Sequence, residues 1–317
     1  MSATGNTALG VGDTSLRLAA AGAVAATLLS FAARAWWVLE LFTHFRLQLS
    51  LVSVLLAAAL LWRRHRIFAL ALAGTAVANA APLAAYLTTG TAAAAIAGTG
   101  GFDVLSANVL WRNHDYADLL DIIETRKPDA VVALEFTPAW RKGLAALDER
   151  YPYRLLAPHH DPYGIGLWSR YPLEAKLVPL QAAVGIDALV QTPAGEIRLI
   201  GVHLRSPTTR TKAAERDRQF SDLTDLARGS PVPLVVVGDF NTTPYSPYFS
   251  DWLESAGLRN VHTGLDDTWP TFLPILRIPI DHCVVSPKIG GAELHRLRAF
   301  GSDHFPILCR LNLGKHR

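Results

Sequence analysis

The chain has 317 residues, half of them hydrophobic, a formal net charge of +3 and two cysteines. That length holds one catalytic domain and something more, and a mean hydropathy of +0.21 is high for a protein that lives wholly in water. Two cysteines exclude a disulfide framework and a thiol-rich metal site. Residues 1–100 hold six of the 30 Lys/Arg and two of the 27 Asp/Glu, so the rest carries 24 basic and 25 acidic residues, which is not the electrostatic footprint of a nucleic-acid-binding domain.

The first hundred residues read as membrane-spanning. Three apolar stretches follow one another, at about 16–38, 44–62 and 67–87, the first broken only by Arg34. A span needs roughly 20 apolar residues, fewer if flanking side chains snorkel. Trp36, Trp37, Phe42 and Trp62 lie at the ends of these stretches, where aromatic belts form. Arg63, Arg64, His65 and Arg66 make a tight basic loop between the second and third. The bias of basic loops toward the cytoplasm puts that loop inside, the N-terminus inside and everything after Leu87 outside. The expectation is a multi-pass protein of the cell (inner) membrane, with residues 1–88 in the bilayer and the remainder extracytoplasmic. Two other readings of this region are a cleaved signal peptide ending near Ala33-Arg34-Ala35, and buried helices of a soluble domain. Residues 89–101, rich in Ala, Gly and Thr, read as a flexible tether.

Residues 102–317 read as one α/β domain. Phe102 to Val109 is a strand that delivers Asn108; Asp115 to Arg126 has helical periodicity, and Pro128 stops it. Asp129 to Leu134 is a buried strand with Glu135 at its end, and Pro138 to Arg150 is a helix. Five strands separated by turn signals follow: Tyr153 to Ala157, Gly164 to Ser169, Leu173 to Leu180, Gly185 to Thr192 and Glu196 to Leu204. Thr209 to Arg228 is a helix. Leu234 to Val237 is an unbroken, mostly β-branched run, as in a strand covered on both faces. It ends in Gly238, where the backbone can approach a neighbour closely, and then Asp239 and Asn241. A short helix at Pro247 to Ala256 and two strands, Ile278 to Ser286 and Phe305 to Leu311, close the chain. Strands outnumber helices and the two are mixed, so two packed sheets flanked by helices are expected. Cys283 and Cys309 read as small buried apolar residues, with an oxidised pair open to them if their strands are adjacent.

The polar residues singled out all sit at strand ends: Asn108, Glu135, His203, Asp239, Asn241, Asp281, Asp303 and His304. In a layered α/β fold, strand ends on one side gather around one cleft. Carboxylate and amide oxygens without clustered Cys or His suit a hard cation, Mg2+ or Mn2+, rather than zinc. Two histidines add proton transfer. A hard metal with His and Asp is a kit for attacking a phosphate ester. Taken singly, His203 reads as an ordinary strand histidine, Asp303-His304 as a turn and Glu135 as a surface acid; their joint occurrence carries the weight.

The ordered set S-A-N-V (106–109), A-L-E (133–135), Y-G-I-G-L-W-S-R-Y-P (163–172), G-V-H-L (201–204), G-D-F-N (238–241), P-I-D-H (279–282) and G-S-D-H-F-P (301–306) resembles the endonuclease/exonuclease/phosphatase superfamily. The resemblance covers about residues 102–313. It implies a four-layer α/β sandwich with two central mixed β-sheets. It further implies Glu135 as main metal ligand, supported by Asn108 and Asp303; Asn241 on the scissile phosphate; Asp281 orienting His304; and His203 on the phosphate or the leaving oxygen. It leaves the general base open between Asp239 and His304. The activity it implies is Mg2+-dependent hydrolysis of phosphate esters, first as a nuclease-type phosphodiesterase. The alternatives are a phospholipid or sphingomyelin head-group phosphodiesterase or lipid phosphatase, and a catalytically inactive membrane scaffold. The partners implied are a phosphate-ester substrate, nucleic acid or phospholipid, and the bilayer around the N-terminal helices; no protein partner is inferred.

Overall fold

A computed structural model of the protein describes residues 5–88 and 101–314. The chain divides into a helical unit and an α/β unit; the expected tether lies outside the described residues except for Gly101.

The helical unit comprises α1 (Gly5–Phe31), α2 (Trp37–Glu40), α3 (Arg46–Trp62) and α4 (Arg66–Thr88). Three segments are long and apolar enough to cross a membrane, Gly12–Phe31, Trp37–Trp62 and Arg66–Thr88. The first ends earlier than the apolar run in the sequence. A 3-10 turn at Ala33–Ala35 and an extended Trp36 (φ −162°, ψ 135°) break the helix, so Trp37 and Val38 belong to the second segment. That segment reaches 26 residues because α2 and a 3-10 turn at Leu41–Phe45 lead straight into α3. Ala20, Ala23, Leu60, Ala69 and Leu72 pack together at the centre, and Asn79 donates a buried hydrogen bond to Thr27 Oγ1 at 2.7 Å. Leu18, Leu55, Trp62, Ile67 and Leu70 face outward. Large apolar side chains on the outside are what a lipid solvent favours, and they argue against helices buried in a soluble domain.

The α/β unit holds twelve strands and five helices among the described residues. In chain order they are β1 (Gly101–Asn108), α5 (Tyr116–Arg126), β2 (Ala130–Leu134), α6 (Pro138–Gly143), α7 (Leu147–Arg150), β3 (Tyr153–Ala157), β4 (Ile165–Ser169), β5 (Leu173–Leu180), β6 (Ala183–Thr192), β7 (Gly195–His203), α8 (Arg210–Ala227), β8 (Leu234–Asp239), α9 (Pro247–Ala256), β9 (Arg259–Val261), β10 (Asp281–Val285), β11 (Gly291–Arg296) and β12 (Ile307–Asn312). Two six-stranded sheets form, ordered β11-β12-β1-β2-β4-β3 and β5-β6-β7-β8-β10-β9. Both are mixed: β1 and β2 run parallel, as do β7 and β8, and the other pairs are antiparallel.

The inner faces meet in a core that includes Val104, Val132, Leu134, Val235, Val237 and Val285. The outer face of the first sheet is covered by Leu119, Ile122 and Ile123 of α5 and Trp140 of α6. That of the second is covered by Phe220 and Leu223 of α8 and Phe249 and Trp252 of α9. The result is the expected four-layer sandwich. Strands β2, β8 and β10 are buried at every residue, which accounts for their unbroken apolar runs.

Three details depart from the sequence reading. β9 and β11 were not expected. The helix over Pro138 to Arg150 is two short helices separated by Leu144–Ala146. Cys283 and Cys309 are bonded to each other, with Cα atoms 6.2 Å apart, and so are not free apolar residues. Their strands are not neighbours in one sheet: β10 and β12 belong to opposite sheets. Both side chains point into the core between the sheets, and the bridge crosses it.

Candidate active site

Each strand of the centre ends where a polar residue is needed. Asn108 is the last residue of β1, His203 of β7 and Asp239 of β8; Glu135 follows β2 directly, and Asp281 opens β10. Register sets which of them meet. His203 lies opposite Asp239 across the parallel β7/β8 pair. Asp281 lies opposite Asp239 across the antiparallel β8/β10 pair. Side chains directly opposite on one face of a sheet lie within about 5 Å of each other. The alternation of strand faces sends His282 the other way. Its ring packs 4.6 Å from that of Phe249, and its Nε2 hydrogen-bonds the Thr242 carbonyl at 2.9 Å. Burial pushes its pKa down to about 4, so it is a neutral core residue outside the site.

Asp239 is the hub. Its Oδ1 accepts from the Asn241 amide at 2.8 Å, and its Oδ2 accepts from Asn108 Nδ2 at 3.1 Å. His203 Nε2 and His304 Nε2 stand 3.5 and 3.7 Å from Oδ2. Burial raises the Asp239 pKa to about 6, with Asp281 adding to the rise and His304 and His203 opposing it. His304 Nδ1 lies 2.8 Å from Asp281 Oδ2. Burial alone would lower the His304 pKa; Asp281, then Asp239, outweigh it and raise it to about 10. The two carboxylates face the two ring nitrogens, and the ring is held as an imidazolium. Ligand-type atoms of Asp239, Asp281 and His304 lie within 4.8 Å of one another. Even so, a protonated ring has no lone pair to offer a metal, and in this group His304 acts as a cation between two carboxylates.

The oxygen-rich side of the cleft is different. Glu135 takes a left-handed conformation (φ +56°) just past β2, and this turns its carboxylate to accept from the Trp111 amide at 3.0 Å and from Asn108 Nδ2 at 3.2 Å. Asn108 thus shares one amide group between the carboxylates of Glu135 and Asp239, and its Oδ1 accepts from the Leu110 amide at 3.1 Å. The Glu135 carboxylate meets only neutral donors, the Trp111 amide and the Asn108 carboxamide, and the Asp239 carboxylate reaches the same Asn108, so oxygen donors converge here. That donor set fits a hard divalent cation. Asn241 is also left-handed (φ +50°), and its Nδ2 donates to the Leu204 carbonyl at 2.9 Å. His203 Nδ1 lies 3.1 Å from the Pro162 carbonyl, which leaves Nε2 facing Asp239. Asp303 is turned toward Trp269, whose Nε1 donates to its Oδ2 at 3.0 Å.

The structure therefore brings Asn108, Glu135, His203, Asp239, Asn241, Asp281 and His304 together, with Asp303 beside them. It also shows supports that the sequence reading missed. Ser302 Oγ donates to the Asn108 carbonyl at 2.7 Å and accepts from the His304 amide at 3.1 Å, tying the approach to β12 to the end of its neighbour β1 in the first sheet. Thr268 Oγ1 accepts from the Asp281 amide at 3.3 Å. Ser302 lies inside the G-S-D-H-F-P string; Thr268 and Trp269 carry no comparable signal.

Residues 105–304, which run from the strand bearing Asn108 to His304 itself, match the Endonuclease/Exonuclease/phosphatase family. The chain belongs to that family. It is accordingly an enzyme of phosphate-ester hydrolysis. No curated protein matches the sequence. Solved structures do share the fold. A Danio rerio TDP2 complexed with a single-strand DNA product is 17% identical, with TM-score 0.56, over 68% of this chain and 100% of that one. Sphingomyelinase C from Streptomyces griseocarneus is 16% identical, with TM-score 0.54, over 68% and 100%. An endonuclease/exonuclease/phosphatase from Beutenbergia cavernae is 20% identical, with TM-score 0.52, over 68% and 72%. At these identities the likeness is one of fold.

Proposed function

We propose that the protein is a membrane-anchored, Mg2+- or Mn2+-dependent phosphodiesterase whose catalytic domain lies outside the cytoplasm. The observation that carries the catalytic part is the convergence of Glu135 and Asp239 on Asn108 beside the Asp281–His304 pair. Glu135 would hold the cation, with Asn108 and Asp303 supporting it. When bound, the cation supplies Lewis-acid polarisation of a phosphate oxygen and neutralises developing charge.

The remaining work falls to the chain's own groups. Asp239, an acceptor in the middle of the cleft, would take the proton of the attacking water as its oxygen bonds to phosphorus. His304 is capped by Asp281 at one nitrogen and faces Asp239 with the other, so it suits charge stabilisation of the phosphate rather than proton removal. Asn241, steadied by the Leu204 carbonyl, would hold a non-bridging oxygen. As the bond from phosphorus to the leaving oxygen breaks, His203 would donate a proton from Nε2 to that oxygen. The products are an alcohol and a phosphomonoester.

Nuclease-type substrates are supported by the family and by the likeness to TDP2. A lipid head-group phosphodiester is the second reading, supported by the likeness to sphingomyelinase C. The anchoring is supported by the three apolar helices. The extracytoplasmic side is supported by the basic loop at Arg63 and by the Cys283–Cys309 bond, since such bonds persist in oxidising compartments.

Hydrolysis of bis-p-nitrophenyl phosphate by the purified full chain tests the reading. Activity should vanish in EDTA and return with Mg2+ or Mn2+, and Glu135→Ala should weaken the metal response as well as the rate. Full activity in EDTA would sink the metal assignment.

A further inference from the structure

The segment 269–278 is a short hairpin-like loop closed by an antiparallel bridge between Trp269 and Ile278. Its base is part of the catalytic support. Besides the Trp269 bond to Asp303, the Thr271 amide donates to the Asp303 carbonyl at 2.9 Å, and Thr271 Oγ1 donates to the Ser302 carbonyl at 2.9 Å. Arg277 donates to the carbonyls of Pro270 and Thr271 at 3.2 and 2.6 Å, so the loop is held from within at its neck.

The tip has the opposite character. Phe272, Leu273, Ile275 and Leu276 are 74, 39, 74 and 42% exposed. Among the described residues of the α/β unit, the other exposed large hydrophobics are Tyr153 and Leu177, and they occur singly. Scattered apolar residues on a surface need no explanation, but four within five positions beside a catalytic cleft do.

The sequence of the loop selects the occupant. No acidic residue lies between Asp267 and Asp281, and the one charge is Arg277, at the neck rather than the tip. A nucleic-acid surface would call for several cations and stacking aromatics; the tip offers one ring and three aliphatic chains. Aliphatic side chains above a basic neck are the composition of an element that sits in the boundary between head groups and acyl chains. The chain that carries the loop also carries three helices long and apolar enough to cross a membrane, so a bilayer is the apolar phase that the proposed anchoring would make available to this tip.

We propose that the 269–278 loop is a lipid-docking element: its tip enters a bilayer surface and its neck, fixed to Ser302 and Asp303, holds the cleft against head-group phosphodiesters. This rests on the phosphodiesterase reading above and narrows its substrate class. The reaction is attack of water on the head-group phosphorus, cleavage of the bond from phosphorus to the lipid oxygen, and protonation of that oxygen. The products are a lipid alcohol and a head-group phosphomonoester.

The test uses the full chain reconstituted into vesicles of phosphatidylcholine and phosphatidylglycerol, in two measurements. The first is independent of catalysis. Ile275→Cys, the one reactive thiol when Cys283 and Cys309 are bonded, is labelled with an environment-sensitive fluorophore. Its emission should shift to the blue and be quenched by doxyl-labelled lipids. Water-like emission without quenching overturns the proposal whatever the enzyme hydrolyses. The second compares wild type with Phe272→Ser/Ile275→Ser. Hydrolysis of soluble bis-p-nitrophenyl phosphate should stay within about twofold, while release of head-group phosphate from vesicle phosphatidylcholine, phosphatidylglycerol or sphingomyelin should fall at least tenfold. Cleavage of a single-stranded oligonucleotide that falls in place of lipid hydrolysis overturns the lipid assignment in favour of nucleic acid. A wild type that hydrolyses the soluble ester but none of the lipids overturns it as well. A wild type inactive on every ester defeats the phosphodiesterase reading, and the quenching still decides the docking.

Discussion

Asp281 and His304 sit 23 positions apart in sequence and meet at 2.8 Å, both almost fully buried. The carboxylate orients the ring and favours its charged form, so in the proposed mechanism the two residues would act as one unit. Residues acting as one unit are strongly non-additive when removed. Asp281→Asn and His304→Ala should each lower kcat on bis-p-nitrophenyl phosphate by roughly 10²–10³-fold, the cost expected for losing a preorganised electrostatic stabiliser. The double variant should be little worse than the poorer single one. Small, additive losses in proteins that remain folded by circular dichroism would reduce the pair to a strand cap and a turn. At this scale the sequence was informative because the chemistry restricts residue type: Asp, Asn, Glu and His at strand ends are few, and their order is diagnostic. What it could not show is protonation. The state of His304 comes from two carboxylates delivered by different strands, and nothing local to G-S-D-H reveals that. Thr268 and Trp269 were illegible for a related reason, since each supports the site through contacts made from a loop that has no periodicity.

Strand β8 shows how an element aims the residues at its end. Gly238 has φ +147°, and a Cβ there would run into the Val202 carbonyl of the neighbouring strand. The absence of a side chain lets β7 and β8 close up one residue before Asp239, which places Asp239 opposite His203. Gly238→Ala should therefore lower stability by roughly 2–5 kcal/mol, combining backbone strain with a backbone clash that no rotamer relieves. It should also impair catalysis through Asp239. Thermal unfolding in detergent checks this; a midpoint within about 2 °C of wild type would mean the close approach is not needed. The buried strands were legible because burial on both faces forces a continuous apolar run. β9 was not, being three residues, Arg259–Val261. β11 was not either: it is an edge strand, G-A-E-L-H-R, whose charged residues blur the alternation. The Cys283–Cys309 bond was half legible. Each cysteine sits in a strand pattern, but only the stacking of the two sheets shows that both point into the same space.

For the molecule as a whole, the proposed anchoring makes a prediction about the side of the membrane on which the catalytic domain would lie. Arg63, Arg64 and Arg66 sit at the junction of α3 and α4 and are the densest basic cluster of the helical unit. Charges of this kind in a short loop resist translocation, so in the proposed topology the junction would stay cytoplasmic and the end of α4 would emerge on the far side. The Cys283–Cys309 bond agrees independently, because it joins the two sheets through the core and would be kept reduced during folding in a cytosolic pool. Two arguments of different origin, one from charge and one from redox chemistry, thus support the proposed extracytoplasmic placement. A reporter active only outside the cytoplasm should work when fused after Thr91 and fail when fused after Arg66. In the same cells, the thiols of Cys283 and Cys309 should resist alkylation until the protein is both denatured and reduced. The opposite reporter pattern, together with thiols that react on denaturation alone, would place the domain in the cytoplasm and favour an internal nucleic-acid substrate over an external lipid one. A mixed result would separate the arguments: an external reporter with free thiols would retain the topology but remove the disulfide from its support.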